Sequence, residues 1–426
     1  MWETLKKIWK TKDLKRKILF IVFIMFVFRV AAHIPIPGVN AEALQMLFSQ
    51  NQLLGLFNVF SGGALKNFSI VMLGVGPYIT SSIIFQLLQL VVPKIDEMAK
   101  EGGAGQQKIN QYTRMLAIPL AVIQGYGTIA VLQTASGGGI LPANMGVFDW
   151  VMALTVVTAG SIFLMWLGEL ISEKNLGNGV SLIIFAGIVA ELPANLQQIF
   201  ITFDSSQLPA LLGFVFIGFL TIVGVVFVTE GQRNIPISYA RHHVTTALGQ
   251  KSHLPIRVNQ AGVIPIIFAV ALVVAPSLVA QYCLQLNVAW LTPVAQGVID
   301  AFRNQLIYAV VYFVLVFAFS YFYTAVVFHP DRIAENLQRG GSFIPGVRPG
   351  KETSEYLKKV SNRVLLAGAL FLGFIAILPL ILQAAASGSL QNLAIGGTSL
   401  LIVVSVVIET VKQLEAQLLL RDYDRF

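Results

Sequence analysis

The hydrophobic pattern of this chain consists of long, unbroken apolar runs, such as residues 18–28 (ILFIVFIMFVF) and 400–408 (LLIVVSVVI). A membrane-spanning β-strand would be shorter and would alternate apolar with polar residues. A hydrocarbon core of about 30 Å requires about 20 apolar residues in a helical span. The pattern therefore predicts an all-α polytopic membrane protein with ten transmembrane helices, at 18–34, 69–92, 114–134, 150–171, 180–200, 208–229, 261–285, 303–328, 363–384 and 395–417.

The composition agrees with this prediction. Hydrophobic residues make up 56% of the 426 residues and charged residues 12%, whereas a soluble domain has about 25% charged residues. The single cysteine, Cys283, cannot pair within the chain. An internal disulfide is therefore excluded, and nothing favours a thiol or metal site.

The basic residues indicate how the spans are oriented. Residues 1–17 carry seven Lys and Arg, and the connection after the eighth span carries seven more. The connections on the opposite side offer only Lys66 and Arg303. By the positive-inside rule, both termini are predicted to be cytoplasmic.

Two of the predicted cytoplasmic connections, 230–260 and 329–362, are much longer than a chain reversal needs. Their basic charge fits a docking surface for an acidic partner or for nucleic acid such as ribosomal RNA. The alternative is that the charge serves only to set topology. Arg348 lies between Pro345–Gly346 and Pro349–Gly350, which would present its guanidinium on a restrained turn.

The sequence contains a weak internal repeat. The block GVSLII at 179–184 returns as GTSLLI at 397–402, and GVGPYI at 74–79 returns as GVIPII at 262–267. In both pairs, span n matches span n+5. Five spans per half would insert the halves in opposite orientations, so the pattern predicts an inverted repeat with its pathway between the halves.

The predicted domains follow from this repeat. The N-terminal half covers 18–203 and the C-terminal half 204–417, flanked by segments 1–17 and 418–426.

Isoleucines occupy equivalent positions in the repeated blocks. Each pair of blocks ends on an isoleucine, Ile79 with Ile267 and Ile184 with Ile402. Ile83 and Ile188 lie one helical turn further along the same helix faces. Aliphatic residues near the middle of the membrane predict a seal, although any one isoleucine could equally face lipid.

The sequence lacks the motifs of nucleotide-binding proteins and of common enzymes. The chain has no phosphate-binding loop, H-E-x-x-H or G-x-S-x-G motif. An inverted-repeat secondary transporter remains the alternative function, but it would place ionisable groups at the midplane. An intramembrane enzyme would need a paired nucleophile and base, or paired aspartates, within the spans.

The glycine-rich stretch 55–69 (GLFNVFSGGALKNFS) precedes the second span. It is too short to span a membrane and apolar enough to sit in a protein-lined cavity, where irregular backbone is tolerated at membrane depth. An ordinary external loop is the alternative.

The sequence resembles the SecY family of protein-conducting channels over essentially the whole chain. The matching stretches are HIPIPGVN (33–40), FSGGAL (60–65), EGGAGQQKINQYTR (101–114), LGNGVSLIIFAGIVAELP (176–193), HLPIRVNQAGVIP (253–265), GSFIPGVRPGKET (341–353) and GGTSLLIVV (396–404). Gln106 and Gln107 depart from the family, which commonly has basic residues there, so the later loops are expected to carry the partner contacts.

The resemblance implies a non-enzymatic channel without a cofactor. Unfolded secretory polypeptides bearing a signal sequence would cross the bacterial plasma membrane through it, and transmembrane segments would leave it sideways into lipid. The implied partners are SecE and SecG, with the SecA motor or the ribosome on the cytoplasmic face.

The resemblance also assigns candidate site residues. The pore ring would comprise Ile79, Ile83, Ile184, Ile188, Ile267 and Ile402. A plug at about 56–66 would include Phe57, Asn58, Phe60, Ser61, Gly62, Gly63 and Ala64. Gln89, Gln124 and Asn259 would belong to a lateral gate, and Arg241, Lys251, Arg257, Arg348 and Lys351 to the docking surface.

The charge pattern leads to a test of orientation. In a Cys283→Ser background, cysteines introduced by Ser252→Cys and Thr353→Cys should not react with an impermeant maleimide applied outside intact cells. Efficient labelling from outside would contradict the predicted topology.

Overall fold

The computed structural model describes residues 11–37, 39–40, 44, 58, 61–135, 146–201, 208–239, 252–285, 288, 290–385 and 397–423. Within these residues the chain forms helices, with three short strands between them. In chain order the helices are α1 (Lys12–Ala31), α2 (Gly76–Val91), α3 (Pro93–Lys100), α4 (Gly103–Ala135), α5 (Val147–Ser172), α6 (Gly179–Ile201), α7 (Leu208–Glu230), α8 (Ile264–Gln285), α9 (Leu291–Arg303), α10 (Gln305–Val327), α11 (Pro330–Arg339), α12 (Lys351–Ala385) and α13 (Gly397–Tyr423). The strands are β1 (Gln232–Tyr239), β2 (Ser252–Arg257) and β3 (Ser342–Phe343).

A described helix overlaps each predicted membrane span. By length and apolar composition, five helical stretches of the described chain are able to cross a membrane: Gly103–Gln133, Val147–Ser172, Ile264–Gln281, Gln305–Arg339 and Lys351–Leu378. The pair α2 and α3, bent by 102°, makes a sixth if it is counted as one span. The chain is thus a mostly helical protein with several membrane-crossing helices, and ten spans remain a prediction.

The second predicted span begins later than expected. Residues 61–75 form turns, and α2 begins only at Gly76, with Pro77 in its first turn. Gly62, Gly63 and Gly74 have positive φ angles of 65°, 83° and 59°. Left-handed glycines interrupt a helix, and proline favours a helix start, so apolar composition alone extended this prediction too far.

The prediction of an all-α chain is wrong in one respect. Within the described residues, β1 pairs antiparallel with β2 on one side, with Ile235 opposite Leu254, and with β3 on the other, with Ser238 opposite Phe343. Ile235 and Ile237 alternate with polar residues or proline along β1. This period of two is the pattern of a half-buried strand.

The small sheet has its own core. Ile235, Ile256, Ile344 and Leu357 are buried against one another, so β1 and β2 pack on the loop after β3 and on the start of α12. The described parts of the long connections predicted to be cytoplasmic therefore form one folded unit, which also includes α11.

Helix neighbours recur along the chain. In the first part, α2 packs on α4, α4 on α5, α5 on α6, and α1 on α6. In the second part, α8 packs on α10, α10 on α12, α12 on α13, and α7 on α13. The two sets meet where α8 contacts α2 and α4 and where α13 contacts α6.

The largest buried core lies across these meeting points. It is one continuous cluster of apolar side chains from α1, α2, α5, α6, α7, α8, α10, α12 and α13. A second cluster joins Ile36, Leu65 and Phe68 to α4 and α5. The turns at 61–75 are thus packed between helices, which positions them for the site described next.

Candidate functional site

The six predicted ring isoleucines all lie in the largest buried apolar cluster of the described residues. They belong to α2, α6, α8 and α13, which are among the helices through which the two sets of helices contact each other. Their exposed fractions run from 0% for Ile184 to 6% for Ile83. The positions predicted for the ring are therefore buried in an apolar environment.

Helix geometry aligns the candidate ring residues within each helix. Ile79 and Ile83 are one turn apart on α2, as are Ile184 and Ile188 on α6. Ile267 lies in the first turn of α8 and Ile402 in the second turn of α13. Ile79 with Ile83, and Ile184 with Ile188, thus each share one face of their helix.

An open cavity of about 610 Å³ lies between the turn that joins α5 to α6 and the C-terminal part of α13. Its lining includes Asn175, Asn178, Glu409, Gln413 and Gln417. Glu409 is seven residues beyond Ile402 on α13, which corresponds to about 10 Å along the helix. No local sequence pattern predicts this cavity, because its lining comes from segments far apart in the chain.

Asn58 organises the predicted plug. The oxygen of its side-chain amide accepts a hydrogen bond from the Lys66 backbone N–H at 2.9 Å. Its backbone carbonyl accepts two more, from the Gly63 N–H at 2.8 Å and from the Ser61 hydroxyl at 3.0 Å. Ser61 in turn accepts from the Leu65 N–H at 2.9 Å. These bonds join Asn58 to the turns at 61–66.

The plug loop is attached to two helices. Arg29 of α1 donates to the Gly62 carbonyl at 2.8 Å, and the Asn58 Nδ2 donates to Glu191 of α6 at 2.7 Å. Gly62 lies directly against Gly187, because a Cβ atom on Gly187 would be 2.1 Å from the Gly62 Cα. Ala64 is fully buried. Phe57 and Phe60 lie outside the described residues.

The predicted gate residues do not form one cluster. Gln124 of α4 donates to the Thr80 hydroxyl of α2 at 3.2 Å. Gln89 is nine residues beyond Thr80 on α2, about 13 Å along the helix axis. Asn259 precedes α8, where its Nδ2 donates to the Gly262 carbonyl at 3.1 Å. Gln89 and Gln124 lie on α2 and α4, the helices that contact α8, and Asn259 lies five residues before α8 begins.

The described docking candidates lie on the unit built around the small sheet. Arg257 ends β2 and is exposed, while Arg348 and Lys351 lie between β3 and α12 and are exposed as well. Arg241 and Lys251 lie outside the described residues.

Arg348 lies on a fixed backbone with a free side chain. Gly346 and Gly350 have φ angles of 83° and 98°, and the Thr353 hydroxyl donates to the Arg348 carbonyl at 2.8 Å. The Arg348 side chain is 88% exposed, and its Nη1 atom lies 3.9 Å from Oε1 of Glu352. Such an exposed pair contributes little to stability, so the guanidinium is available to a partner.

Thr353 is too deeply buried to report orientation by cysteine labelling. Thr353 is 2% exposed, so a cysteine there would resist reagents from either side of the membrane. Lys351, in the same turn and exposed, is the informative position.

Comparison with known proteins identifies relatives over the full length. The sequence model of the SecY family matches residues 69–411. The protein translocase subunit SecY of Mycobacterium bovis is 43% identical over 443 residues, with 98% of each chain covered. The SecY subunit of Streptomyces galbus is 42% identical over 435 residues, again with 98% of each chain covered.

Solved structures share the fold. A structure described as that of a protein-conducting channel has a TM-score of 0.64 at 19% identity and covers 94% of this chain and 91% of its own. A SecY structure whose description assigns to the plug domain the stabilisation of the closed channel has a TM-score of 0.61 at 18% identity, with the same coverage.

The buried ring leads to a mutational test. Ile402→Asn should let water into the constriction and raise the resting ion conductance of reconstituted vesicles about tenfold, which requires about 1.4 kcal/mol in favour of the hydrated state. Val407→Asn is the control, because Val407 is on the same helix and 43% exposed. Equal conductance in wild type and Ile402→Asn would count against the seal.

Proposed function

The chain belongs to the SecY family of protein translocase subunits, and from that premise we propose that its ring and plug form the seal of a protein-conducting channel in the bacterial plasma membrane. Unfolded polypeptides with a signal sequence cross through the ring. Transmembrane segments leave sideways into lipid. Both termini of the chain face the cytoplasm.

One observation carries this proposal. Six isoleucines from four helices lie in one buried apolar cluster, and the plug loop packs against one of those helices, α6. A narrow aliphatic constriction excludes ions by dewetting. It also offers no hydrogen bonds that would retain one polypeptide sequence more than another, so it can pass side chains of any kind.

We also propose that ten helices form two inverted halves. The recurrence of helix neighbours from α1–α6 in α7–α13 supports this arrangement, as does the pairing of repeated motifs on α2 with α8 and on α6 with α13. Separation of α8 from α2 and α4 would open a seam toward lipid. An apolar segment would leave through it, driven by about 0.8 kcal/mol per buried methylene.

The basic unit around the sheet is the proposed docking surface for the SecA motor or the ribosome, with SecE and SecG as membrane partners. One structure that shares this fold is Sec61 in a canine ribosome-channel complex, with a TM-score of 0.57. Exposed cations on a folded support suit the carboxylates of a protein or the phosphates of RNA.

An inverted-repeat secondary transporter is disfavoured. The side chains that the repeat brings together are isoleucines rather than ion-binding groups. Family membership also points away from a transporter.

The function can be tested by cross-linking. A photoreactive amino acid at Ile402 should cross-link to a secretory polypeptide arrested during passage. The same probe at Phe216, which is 64% exposed on α7, should not. Cross-links at Phe216 but not at Ile402 would place the polypeptide outside the ring and overturn the proposal.

Docking can be tested separately through Arg348. Arg348→Glu should block post-translational export, measured as precursor processing in cells lacking the wild-type chain, with protein level unchanged. Arg348→Lys should restore export only in part, because lysine lacks the planar fork of donors.

Lys358→Glu serves as the charge-matched control, since Lys358 is exposed on α12. Equal losses in Arg348→Glu and Lys358→Glu would indicate a general effect of surface charge. Normal export by Arg348→Glu would remove Arg348 from the docking surface.

A further inference from the structure

We propose that Glu191 and Arg29 are positioning residues that, with Asn58 and Gly62, form a polar latch on the plug and set how strong a signal sequence must be to open the channel. This inference rests on the proposed channel function. It concerns residues outside the ring.

Glu191 is placed for this task by its helix. Ile184, Ile188 and Glu191 follow the spacing i, i+4, i+7 on α6, so they share one face. Two of the three are ring residues, and Glu191 lies one turn beyond them. The carboxylate is therefore located where the ring ends and the plug loop begins.

The Asn58 amide links the internal fold of the plug to α6. Its oxygen is occupied by the Lys66 N–H within the loop, and its nitrogen donates to Glu191. Asn58 is 7% exposed. If the loop left α6, this donor would lose its charged acceptor, and hydrogen bonds to ionised groups are among the stronger ones.

Arg29 fastens the opposite side of the loop. Arg29 lies on α1, and its guanidinium donates a hydrogen bond of 2.8 Å to the Gly62 carbonyl. The latch therefore joins α1, the plug and α6 through two hydrogen bonds, each of which has one ionisable side chain as a partner.

The glycines allow the carboxylate to reach Asn58. A Cβ atom on Gly63 would lie 2.7 Å from Glu191 Oε1, and a Cβ atom on Gly62 would lie 2.6 Å from the Phe28 ring. Any larger residue would push the loop away from α1 and α6. The close approach and the polar latch thus depend on each other.

The latch is reversible because water can replace it. When the plug moves away, Glu191, Arg29 and Asn58 become exposed to the water that enters the outer part of the channel. Hydration recovers much of the lost interaction energy. The remaining free-energy difference between the attached and the released plug is small enough to be overcome by a signal sequence. It is also large enough to discriminate weak from strong signal sequences.

The test compares variants at both ends of the Asn58–Glu191 bond. Glu191→Leu and Asn58→Ala should each raise resting ion conductance and the processing of a precursor with a defective signal sequence about tenfold, which corresponds to about 1.4 kcal/mol. Glu191→Gln keeps an acceptor oxygen for Asn58, so it should retain most of the wild-type stringency. Leu192→Ala, at an exposed neighbour on α6, is the control and should behave as wild type.

The double variant provides a second measure. If Glu191 and Asn58 act through one bond, Glu191→Leu with Asn58→Ala should increase conductance no more than either single variant. Should Glu191→Leu fail to accumulate, Asn58→Ala alone decides. Wild-type conductance and stringency in Asn58→Ala would overturn the latch.

The outcomes separate the latch from the channel function. Failure of the wild-type chain to translocate a precursor with an intact signal sequence would overturn the proposed function itself. Normal translocation by wild type, with unchanged stringency in the variants, would overturn only the latch.

Discussion

The buried apolar cluster that contains isoleucines of α2, α6, α8 and α13 is the constraint on which the proposed channel depends. A route for polypeptides must stay closed to ions without binding what passes through it. Aliphatic side chains meet both demands, because they exclude water and form no hydrogen bonds. These helices are among those through which the two recurring sets of helices contact each other, so the proposed seal lies in the interface between the sets.

A seal made only of apolar contacts has little directional specificity. The plug loop supplies that specificity through its polar contacts. Asn58, Gly62 and Glu191 fix the loop to α6 through hydrogen bonds and direct backbone contact. The division is physically reasonable, since aliphatic packing adapts to many shapes whereas charged hydrogen bonds require defined partners. In the proposed channel, closure and ease of opening are thus assigned to different side chains.

The basic connections show a similar separation of support and contact. Ile235, Ile256, Ile344 and Leu357 form a core that holds the sheet, α11 and the start of α12 together. Arg348 projects from this core with its backbone bonded to Thr353. A cation on a fixed backbone loses less conformational entropy on binding than one on a flexible loop. The helix α12 continues from this folded unit without a break.

The sequence by itself determined the mostly helical character of the chain, its apolar stretches long enough to cross a membrane and its resemblance to the SecY family, and the ring and the plug stay predictions from it. These features follow from local apolar runs and from motifs repeated in the register that five spans per half require. The tertiary structure decided what depends on distant partners. Ser238 pairs with Phe343 in the sheet, Asn58 bonds to Glu191 across 133 residues, and Gln124 meets Thr80 but not Gln89. Such contacts arise from helix packing and strand pairing over long sequence separations, where no local pattern records which residues will be neighbours.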